Sequence, residues 1–300
     1  MVFGIFKKNR KKASSEVVLK VSDASVSPLQ PKIKARPQSQ SQSQIQAQPK
    51  IRAKLRSQPQ GPAQPQSCVE GQRNEIDTAE ADLKRTTIAI KGDGNIVKFG
   101  KSSSANDLKI KIDGNDNTVI VGKKCRIRGM IRVSGNAQTV SIGNFTTFTE
   151  CYLLAAENCD IRIGEHCMFS RGIEIRTTDA HSVIDVKTGR RTNTPKSVTI
   201  GNHVWIAANV FVSKGVVIAD DCIIGAGSVV LKSIEESQCV VAGSPAVPIR
   251  RGVTWNRAVK PEFSQAELYM WRDQSAAGAQ AELEDPPDRA STGATNDSSA

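Results

Sequence analysis

Aliphatic residues recur at a strict interval of six in the stretch VTIGNHVWIAANVFVSKGVVIADDCIIGAGSVV, which runs from Val198 to Val230. The residues that keep this interval are Ile200, Ile206, Val212, Ile218, Ile224 and Val230. A helix repeats at 3.6 residues and a strand at 2, so neither element explains the period. A small residue follows most of the aliphatics, so one unit is a short strand with an inward side chain and a tight corner.

Three such units make one triangular coil, and stacked coils pair as parallel strands about 4.7 Å apart. The repeat therefore predicts an all-β fold, a left-handed parallel β-helix with three sides. The same pattern continues upstream at intervals of 22, 21 and 21 residues, in the pairs Phe99-Gly100, Val121-Gly122, Ile142-Gly143 and Ile163-Gly164. We expect roughly seven coils, from near Thr87 to near Val241, within a domain at 81–250.

The ends of the chain differ from this body in composition. Residues 1–66 hold 13 Lys/Arg and 2 Asp/Glu, which accounts for the net charge of +11 and leaves the rest neutral. The basic charge therefore gives no reason to expect nucleic-acid binding by the folded part. Gln/Ser/Pro-rich tracts predict a disordered tail at 1–80. A short amphipathic helix is expected within 251–274, after Pro261, and a second disordered tail at 275–300.

The first residues, MVFGIFKKNRKK, place an apolar run before a basic cluster, which reverses the order of a secretory signal. We interpret the tail as solubilising, with weak association to an anionic membrane surface as the alternative. No apolar run approaches the length of a membrane span. The seven cysteines form no CxxC pair, which favours a reducing compartment. We expect a cytoplasmic protein, with a peripheral position at the inner face of the membrane as the alternative.

One insertion interrupts the interval of six, RTTDAHSVIDVKTGRRTNTPKS at 176–197. It predicts a loop that leaves the prism, where functional residues concentrate. His181 lies in this loop and has no repeat position, so it is the candidate general base. His166 and His203 occupy corner positions and are interpreted as solvated. Asp179 either orients the His181 ring, as a carboxylate does in a triad, or caps the loop backbone.

Four motifs are similar to those of hexapeptide-repeat O-acetyltransferases that use acetyl-CoA: D-A-H at 179–181, IGNHVWIAAN at 200–209, IGAGSVV at 224–230 and AGSPAVPIR at 242–250. The chain resembles in particular the colanic-acid type found in exopolysaccharide and capsule biosynthesis. The resemblance implies a homotrimer with active sites between subunits, a sugar hydroxyl as acceptor and acetyl-CoA as co-substrate, with no metal. It also implies that His181 deprotonates the acceptor, which attacks the thioester directly while backbone N–H groups meet the oxyanion.

The resemblance assigns seven positions to the donor: Trp205, Ala208, Ala226, Lys232, Pro245, Ala246 and Arg250. Ala208 and Ala226 would flank the pantetheine arm, and Lys232 and Arg250 would meet phosphates. The turn at Pro245 and Ala246 would lie near the adenine. For Trp205, packing on the prism is an open alternative to a place near the imidazole. The chain departs from the family at Ala207, where glycine is usual, and at Leu231, where a hydroxyl residue is common.

Arg176 and Asn193, together with Arg190 and Arg191, are candidates to hold the acceptor, although ordinary solvated loop charges explain each as well. Other activities stay open: N-acetylation of a nucleotide-linked amino sugar, acetylation of serine or a xenobiotic, or a non-catalytic trimeric scaffold. A carbonic-anhydrase-type zinc site needs two histidines within a few residues. The histidine intervals here are 15 and 22, which argues against zinc.

Overall fold

The computed structural model describes residues 66–273, so residues 1–65 of the expected tail at 1–80 and all of the expected tail at 275–300 lie outside this range. The strands of the first four coils are β1 (Gln66–Glu70), β2 (Glu75–Asp77), β3 (Asp82–Lys84), β4 (Thr87–Lys91), β5 (Ile96–Phe99), β6 (Ser104–Asp113), β7 (Thr118–Val121), β8 (Arg126–Ser134), β9 (Thr139–Ile142) and β10 (Thr147–Phe148). Those of the last four coils are β11 (Cys151–Ala156), β12 (Ile161–Ile163), β13 (Met168–Phe169), β14 (Ile173–Arg176), β15 (Val198–Ile200), β16 (Trp205–Ile206), β17 (Phe211–Val212), β18 (Val217–Ile218), β19 (Ile223–Ile224), β20 (Val229–Val230), β21 (Cys239–Gly243) and β22 (Ala246–Arg251). A short helix, α1, occupies 265–273.

Backbone pairing sorts the strands into three sides of a parallel β-helix of about 8 turns. The first side carries β1, β4, β11, β14, β17 and β20, with the second halves of β6 and β8. The second side carries β2, β5, β7, β9, β12, β15 and β18. The third side carries β3, β10, β13, β16, β19 and β21, with the first halves of β6 and β8. β22 turns back antiparallel onto β21 and so covers that edge of the sheet.

The aliphatic positions of the repeat form the core, as predicted. Ile200, Ile206, Val212, Ile218, Ile224 and Val230 are each at most 1% exposed. Cysteines such as Cys125 and Cys222 also fill inward positions and act there as small apolar side chains. Full burial of one such aliphatic side chain contributes about 1.5–3 kcal/mol, so the stacked rows supply most of the driving force for folding.

The small residue after the aliphatic is needed for close approach of successive coils. A Cβ added at Gly143 would lie 2.6 Å from the carbonyl carbon of Gly164 in the next coil, which no real side chain tolerates. The residue two positions later in the corner has a positive φ, for example 59° at Phe145 and 57° at His166. The corner therefore combines a steric restriction with one left-handed residue.

Two boundaries differ from the sequence-based prediction. Residues 66–80 were expected to be disordered, but β1, β2 and β3 form a further coil ahead of Thr87. Ile76 and Leu83 from this coil pack against the core, and they escaped notice because each is a lone apolar residue among charged neighbours. With this coil the prism has one turn more than the roughly seven expected.

The second boundary concerns the segment after the prism. Of the described residues of the expected helical segment 251–274, only 265–273 are helical. The helix begins with a capping box, in which Ser264 N donates to Glu267 Oε2 at 2.9 Å and Glu267 N to Ser264 Oγ at 3.4 Å. The preceding residues are non-helical, and Trp255 among them is buried, with its indole N–H donating to His203 O at 2.8 Å.

A column of buried amides follows the corner between the first and second sides. Asn117 Nδ2 donates to Asn95 Oδ1 at 3.0 Å and to Gly135 O at 2.8 Å, and Asn117 Oδ1 accepts from Gln138 N at 3.0 Å. Asn95 and Asn117 are both fully buried. The column thus satisfies backbone groups that the corner removes from the strand ladder.

We expect Asn117→Ala to lower the free energy of unfolding by about 2–4 kcal/mol, because the change leaves several buried polar groups without partners. Urea denaturation measures this difference. Ile120→Ala, at an exposed position in the same coil, is the control and should change stability by less than about 0.5 kcal/mol. Equal effects of the two substitutions would contradict the role given to the amide column.

A second column, of rings, follows the corner between the second and third sides. The His166 ring stacks on Phe145 at 4.5 Å, and the His203 ring stacks on Trp255 at 4.3 Å and on Trp271 at 4.9 Å. Both histidines occupy corners, as predicted, but the expected solvation is wrong, since they are 9% and 7% exposed. The residues that follow the prism cover them, which the repeat itself gives no means to foresee.

Burial, with the nearby charges of His203 and Arg257, lowers the pKa of His166 to about 4. Because the unfolded value is about 6.5, the neutral ring stabilises the fold above that pH. We expect this stabilisation to fall by up to about 3 kcal/mol as the pH decreases from 6.5 to 4. His166→Asn, which tolerates the positive φ, should show a shallower decline in urea denaturation over the same pH range. Parallel pH profiles of the two proteins would argue against a buried neutral ring.

Candidate active site

The insertion leaves the prism after β14, at the end of the first side, and rejoins it at β15 on the second side. It forms a narrow hairpin-like loop, in which Ile184 and Arg191 make an antiparallel bridge. Asp185 closes the tip by accepting from Lys187 N at 2.9 Å and Thr188 N at 2.8 Å. The prediction of a loop outside the prism is therefore confirmed, and the loop has its own hydrogen-bond framework.

Asn193 is the centre of that framework. Its Nδ2 donates to Asp179 Oδ2 at 2.7 Å and to His181 O at 2.8 Å, and its Oδ1 accepts from Val183 N at 2.7 Å. These three bonds hold the backbone on both sides of His181 in one conformation. Asn193 thus positions the loop, and the acceptor contact suggested by the sequence stays a prediction.

Asp179 connects this framework to the prism. Its carboxylate accepts hydrogen bonds from Lys214 Nζ and from Asn193 Nδ2. Lys214 follows β17 by two residues. The hydrogen bonds from Lys214 and Asn193 lower the pKa of Asp179 below its ordinary value, so the carboxylate is charged at neutral pH. Sequence reasoning missed Lys214, because it occupies an ordinary repeat position 35 residues from Asp179.

The His181 side chain is exposed, and no hydrogen bond or ion pair to its imidazole occurs within residues 66–273. Its ring is therefore accessible to a substrate. The Asp179 carboxylate contacts Lys214 and Asn193 and makes no bond to the ring within the same residues. The direct orienting role for Asp179 stays a prediction, and the observed contacts favour the alternative, in which Asp179 holds the loop.

A second ion pair fixes the other strand of the loop. Arg191 donates to both oxygens of Glu157, at 3.2 Å to Oε1 through Nη2, and Thr178 Oγ1 also donates to Oε1. These bonds lower the pKa of Glu157 to about 2. At the foot of the loop, Arg176 is paired with Glu174 on the same strand. Neither arginine is a free cation, so the acceptor role predicted for Arg176 has no support from its contacts.

Small side chains lie on adjacent coils where the third side turns into the first. Gly227 N donates to Ala208 O at 2.9 Å, which brings the corners of Ala208 and Ala226 together. A Cβ added at Gly227 would meet no atom within 4 Å, so the backbone there is open to a ligand. This geometry fits a thin chain such as pantetheine.

The remaining donor positions lie near the same end of the prism. Lys232 is exposed just after β20, Pro245 lies in the turn between β21 and β22, and Ala246 is the first residue of β22. Arg250 is exposed on β22, opposite Val240. The structure thus brings these residues to the last coils, but their donor contacts stay a prediction.

Trp205 lies on the third side, away from the strands that flank the His181 loop. Its ring is 6.0 Å from that of Trp255, at a tilt of 47°. This contact supports the packing alternative within one protomer. A place beside the imidazole would require a second protomer and stays a prediction.

A cavity of about 270 Å³ opens at the foot of the loop. Its lining includes Arg132, Ser134, Leu154, Ala156, Glu157, Thr178 and Ala180. The last of these immediately precedes His181, so the cavity lies beside the candidate base. Sequence reasoning missed Arg132, because nothing in the repeat distinguishes one outward-facing arginine from another.

Comparisons with known proteins agree with this geometry. The family model described as bacterial transferase hexapeptide (six repeats) matches residues 197–232. A polysialic acid O-acetyltransferase from Neisseria meningitidis is 34% identical over 147 residues, which cover 49% of this chain and 68% of that protein. The chain belongs to the hexapeptide-repeat transferase family.

Other members of the family extend the comparison. A polysialic acid O-acetyltransferase from Escherichia coli O1:K1 is 31% identical over 145 residues, 48% of this transferase, and the match spans about half of that relative's length (47%). The crystal structure of the polysialic acid O-acetyltransferase OatWY has a TM-score of 0.63 and 29% identity, and the match covers 70% of this chain and 98% of that one. The fold and the family of this transferase are therefore shared with O-acetyltransferases of polysaccharides.

Two further properties of the transferase concern metals and membranes. Within residues 66–273, no group of three or more His, Cys, Asp and Glu side chains is arranged to hold a metal ion. None of the helical structure described for this chain is long and apolar enough to cross a membrane.

The Glu157–Arg191 pair yields a prediction for this transferase. We expect Arg191→Gln to raise the pKa of Glu157 from about 2 towards its ordinary value, because the Arg191 hydrogen bonds are the largest cause of the depression. The carboxyl chemical shift of Glu157, followed by NMR during an acid titration, measures the change. Arg190→Gln, at the neighbouring exposed arginine, is the control. An unchanged Glu157 titration in Arg191→Gln would contradict the pairing.

Proposed function

We propose that this chain transfers an acetyl group from acetyl-CoA to a hydroxyl of an acidic polysaccharide, with His181 as the general base. The observation that carries the proposal is an exposed imidazole on a loop held to the prism by Asn193, Asp179 and Lys214. Its support from relatives is that similar chains of the family are named polysialic acid O-acetyltransferases. Because the chain matches only part of the length of those relatives, the acceptor is also part of the proposal.

In the proposed reaction, the acceptor hydroxyl gives its proton to a His181 ring nitrogen as its oxygen attacks the thioester carbonyl. The carbonyl π electrons move to oxygen, and backbone N–H groups stabilise the resulting oxyanion. Collapse breaks the C–S bond, forms the O-acetyl ester, and returns the proton from the imidazolium to the CoA sulfur. No acyl-enzyme is required, so the chain needs to supply only a base, a donor groove and an acceptor site.

The donor in this proposal lies along the corners of Ala208 and Ala226, with its phosphates near Lys232 and Arg250. The half-buried Ala208, the exposed Ala226 and the open backbone at Gly227 fit this assignment. Within one protomer, these corners belong to the edge between the third and first sides, whereas the His181 loop leaves the edge between the first and second. We therefore propose a homotrimer in which the His181 loop of one protomer faces the donor groove of its neighbour.

We expect His181→Ala to lower kcat by about 10²–10⁴-fold with polysialic acid as acceptor, because proton transfer by a positioned base contributes about that factor. Release of free CoA thiol measures the rate. The variant should retain acetyl-CoA affinity in calorimetry and the trimer mass in light scattering, since the exposed ring supports no part of the fold.

The matched control is Lys187→Ala, an exposed side chain at the tip of the same loop. It should retain the wild-type rate. Near-normal turnover in His181→Ala would remove this residue from the mechanism. Thiol release with a nucleotide-linked amino sugar, and none with polysaccharides, would favour N-acetylation instead.

A further inference from the structure

Arg132, a cation near the candidate base, has no ion-pair partner among the described residues. Lys111, Arg132, Leu154 and Arg176 form one outward-facing row across four coils of the first side, because their backbones are partners in register. Lys111 is paired with Asp113 at 3.1 Å, and Arg176 with Glu174. Each partner lies two residues away on the same strand, where alternate side chains share a face. Arg132 has Met130 and Ser134 at those positions, so its strand supplies no carboxylate.

The burial of one Arg132 nitrogen, Nε, makes this lack of a partner significant. Its Nε is shielded from solvent and has no hydrogen-bond partner among the described residues. A buried donor without a partner destabilises a fold, and more so when the group is charged. An arginine in such a position is therefore expected to have a role outside the fold itself, as a group that becomes paired when a ligand binds.

The cavity into which Arg132 opens has the composition of a small binding site. Leu154 and Ala156 provide apolar walls, and Ser134 and Thr178 provide hydroxyls. Apolar walls combined with a few polar groups that fix orientation are typical of ligand sites. Its volume, about 270 Å³, suits a single sugar residue. One residue of a polymeric acceptor would therefore enter the cavity.

Glu157 also lines this cavity, and its negative charge would oppose an anionic ligand. However, Arg191 binds both of its oxygens, and Thr178 binds one. The pair is close to neutral as a unit, which leaves the Arg132 guanidinium as the cavity's uncompensated charge. The electrostatics therefore favour an anion.

We infer that Arg132 binds a carboxylate of the acceptor sugar and so presents a nearby hydroxyl to His181. A planar guanidinium pairs with a carboxylate through two parallel hydrogen bonds, which fix the orientation as well as the position of the sugar. The cavity wall ends at Ala180, one residue before the base. The inference rests on the proposed function, and it adds a specific residue and subsite that select acidic over neutral acceptors.

The donor phosphates are a second source of negative charge, but their proposed place is elsewhere. Lys232 follows β20, the last strand of the first side, and Arg250 lies on β22 of the final hairpin, whereas Arg132 lies on β8, several coils earlier. An anion at Arg132 therefore comes from the acceptor. Substrates that differ only in the acceptor carboxylate distinguish the two sources.

The test uses the full-length protein and two acceptors, polysialic acid and the same polymer with its carboxylates reduced to alcohols. Initial rates of thiol release give kcat and KM for each. We expect the wild-type kcat/KM to be about 10- to 100-fold higher for the acidic polymer, mostly through KM, because a charge-assisted bidentate pair is lost on reduction. This comparison needs no variant and is independent of folding defects.

Arg132→Gln should lower kcat/KM for the acidic polymer by a similar factor and leave the reduced polymer unchanged. Arg132→Lys keeps the charge without the planar guanidinium, so its kcat/KM for the acidic polymer should lie between those of the wild type and Arg132→Gln. Arg128→Gln, at an exposed arginine on the same strand, is the control and should match the wild type on both polymers. Acetyl-CoA affinity should be the same in all four proteins, and Arg132→Gln should unfold at a temperature no lower than that of the wild type.

Three results would overturn the inference. Equal wild-type rates on the two polymers would remove the carboxylate subsite while leaving the proposed O-acetyl transfer intact. An equal loss on both polymers in Arg132→Gln would assign this residue a structural role. Wild-type inactivity on both polymers, with activity on another acceptor or none, would overturn the proposed acceptor and the subsite with it.

Discussion

The structure depends on the parallel pairing of each coil with the next along all three sides at once. Strands of two to six residues, such as β16 and β17, are too short to be stable alone, and their pairing is mutual. Because the spacing of about 4.7 Å is the same on every side, each inward aliphatic stacks on its equivalent in the next coil. A change of register on one side would displace the other two, so the hydrophobic rows and the backbone ladders specify the same arrangement.

The same pairing makes the prism a rigid support for the candidate active site. The loop that bears His181 begins and ends on paired strands, β14 and β15, so its two ends are fixed. Two ion pairs from the loop then reach different coils, one through Asp179 to Lys214 and one through Arg191 to Glu157. An excursion of this length is thereby held in one conformation, with Asn193 at its centre and the imidazole exposed.

Buried polar groups occur where the three-sided geometry removes backbone groups from the ladders. The amide column of Asn95 and Asn117 binds corner carbonyls and N–H groups directly. The ring column uses residues outside the repeat, since Trp255 covers His203. Arg132 differs from both, because it is a cation with a shielded Nε that has no partner among the described residues, and it lies beside the loop rather than in a corner. This difference is the physical basis for assigning it to a ligand.

The amino-acid sequence alone determined the fold, the inward rows and the position of the inserted loop, because a period of six residues has one structural solution and its interruption is visible. It also indicated His181, the histidine without a repeat position. The first coil escaped detection, since Ile76 and Leu83 are isolated among charged residues. Only the tertiary structure decided which cations near the loop are paired, because partners such as Glu157 and Arg191, or Asp179 and Lys214, are more than 30 residues apart and meet through stacking of coils. For the same reason the burial of His166 and His203 depends on packing across elements that no local pattern encodes. The same holds for the lack of a partner for Arg132 Nε within residues 66–273.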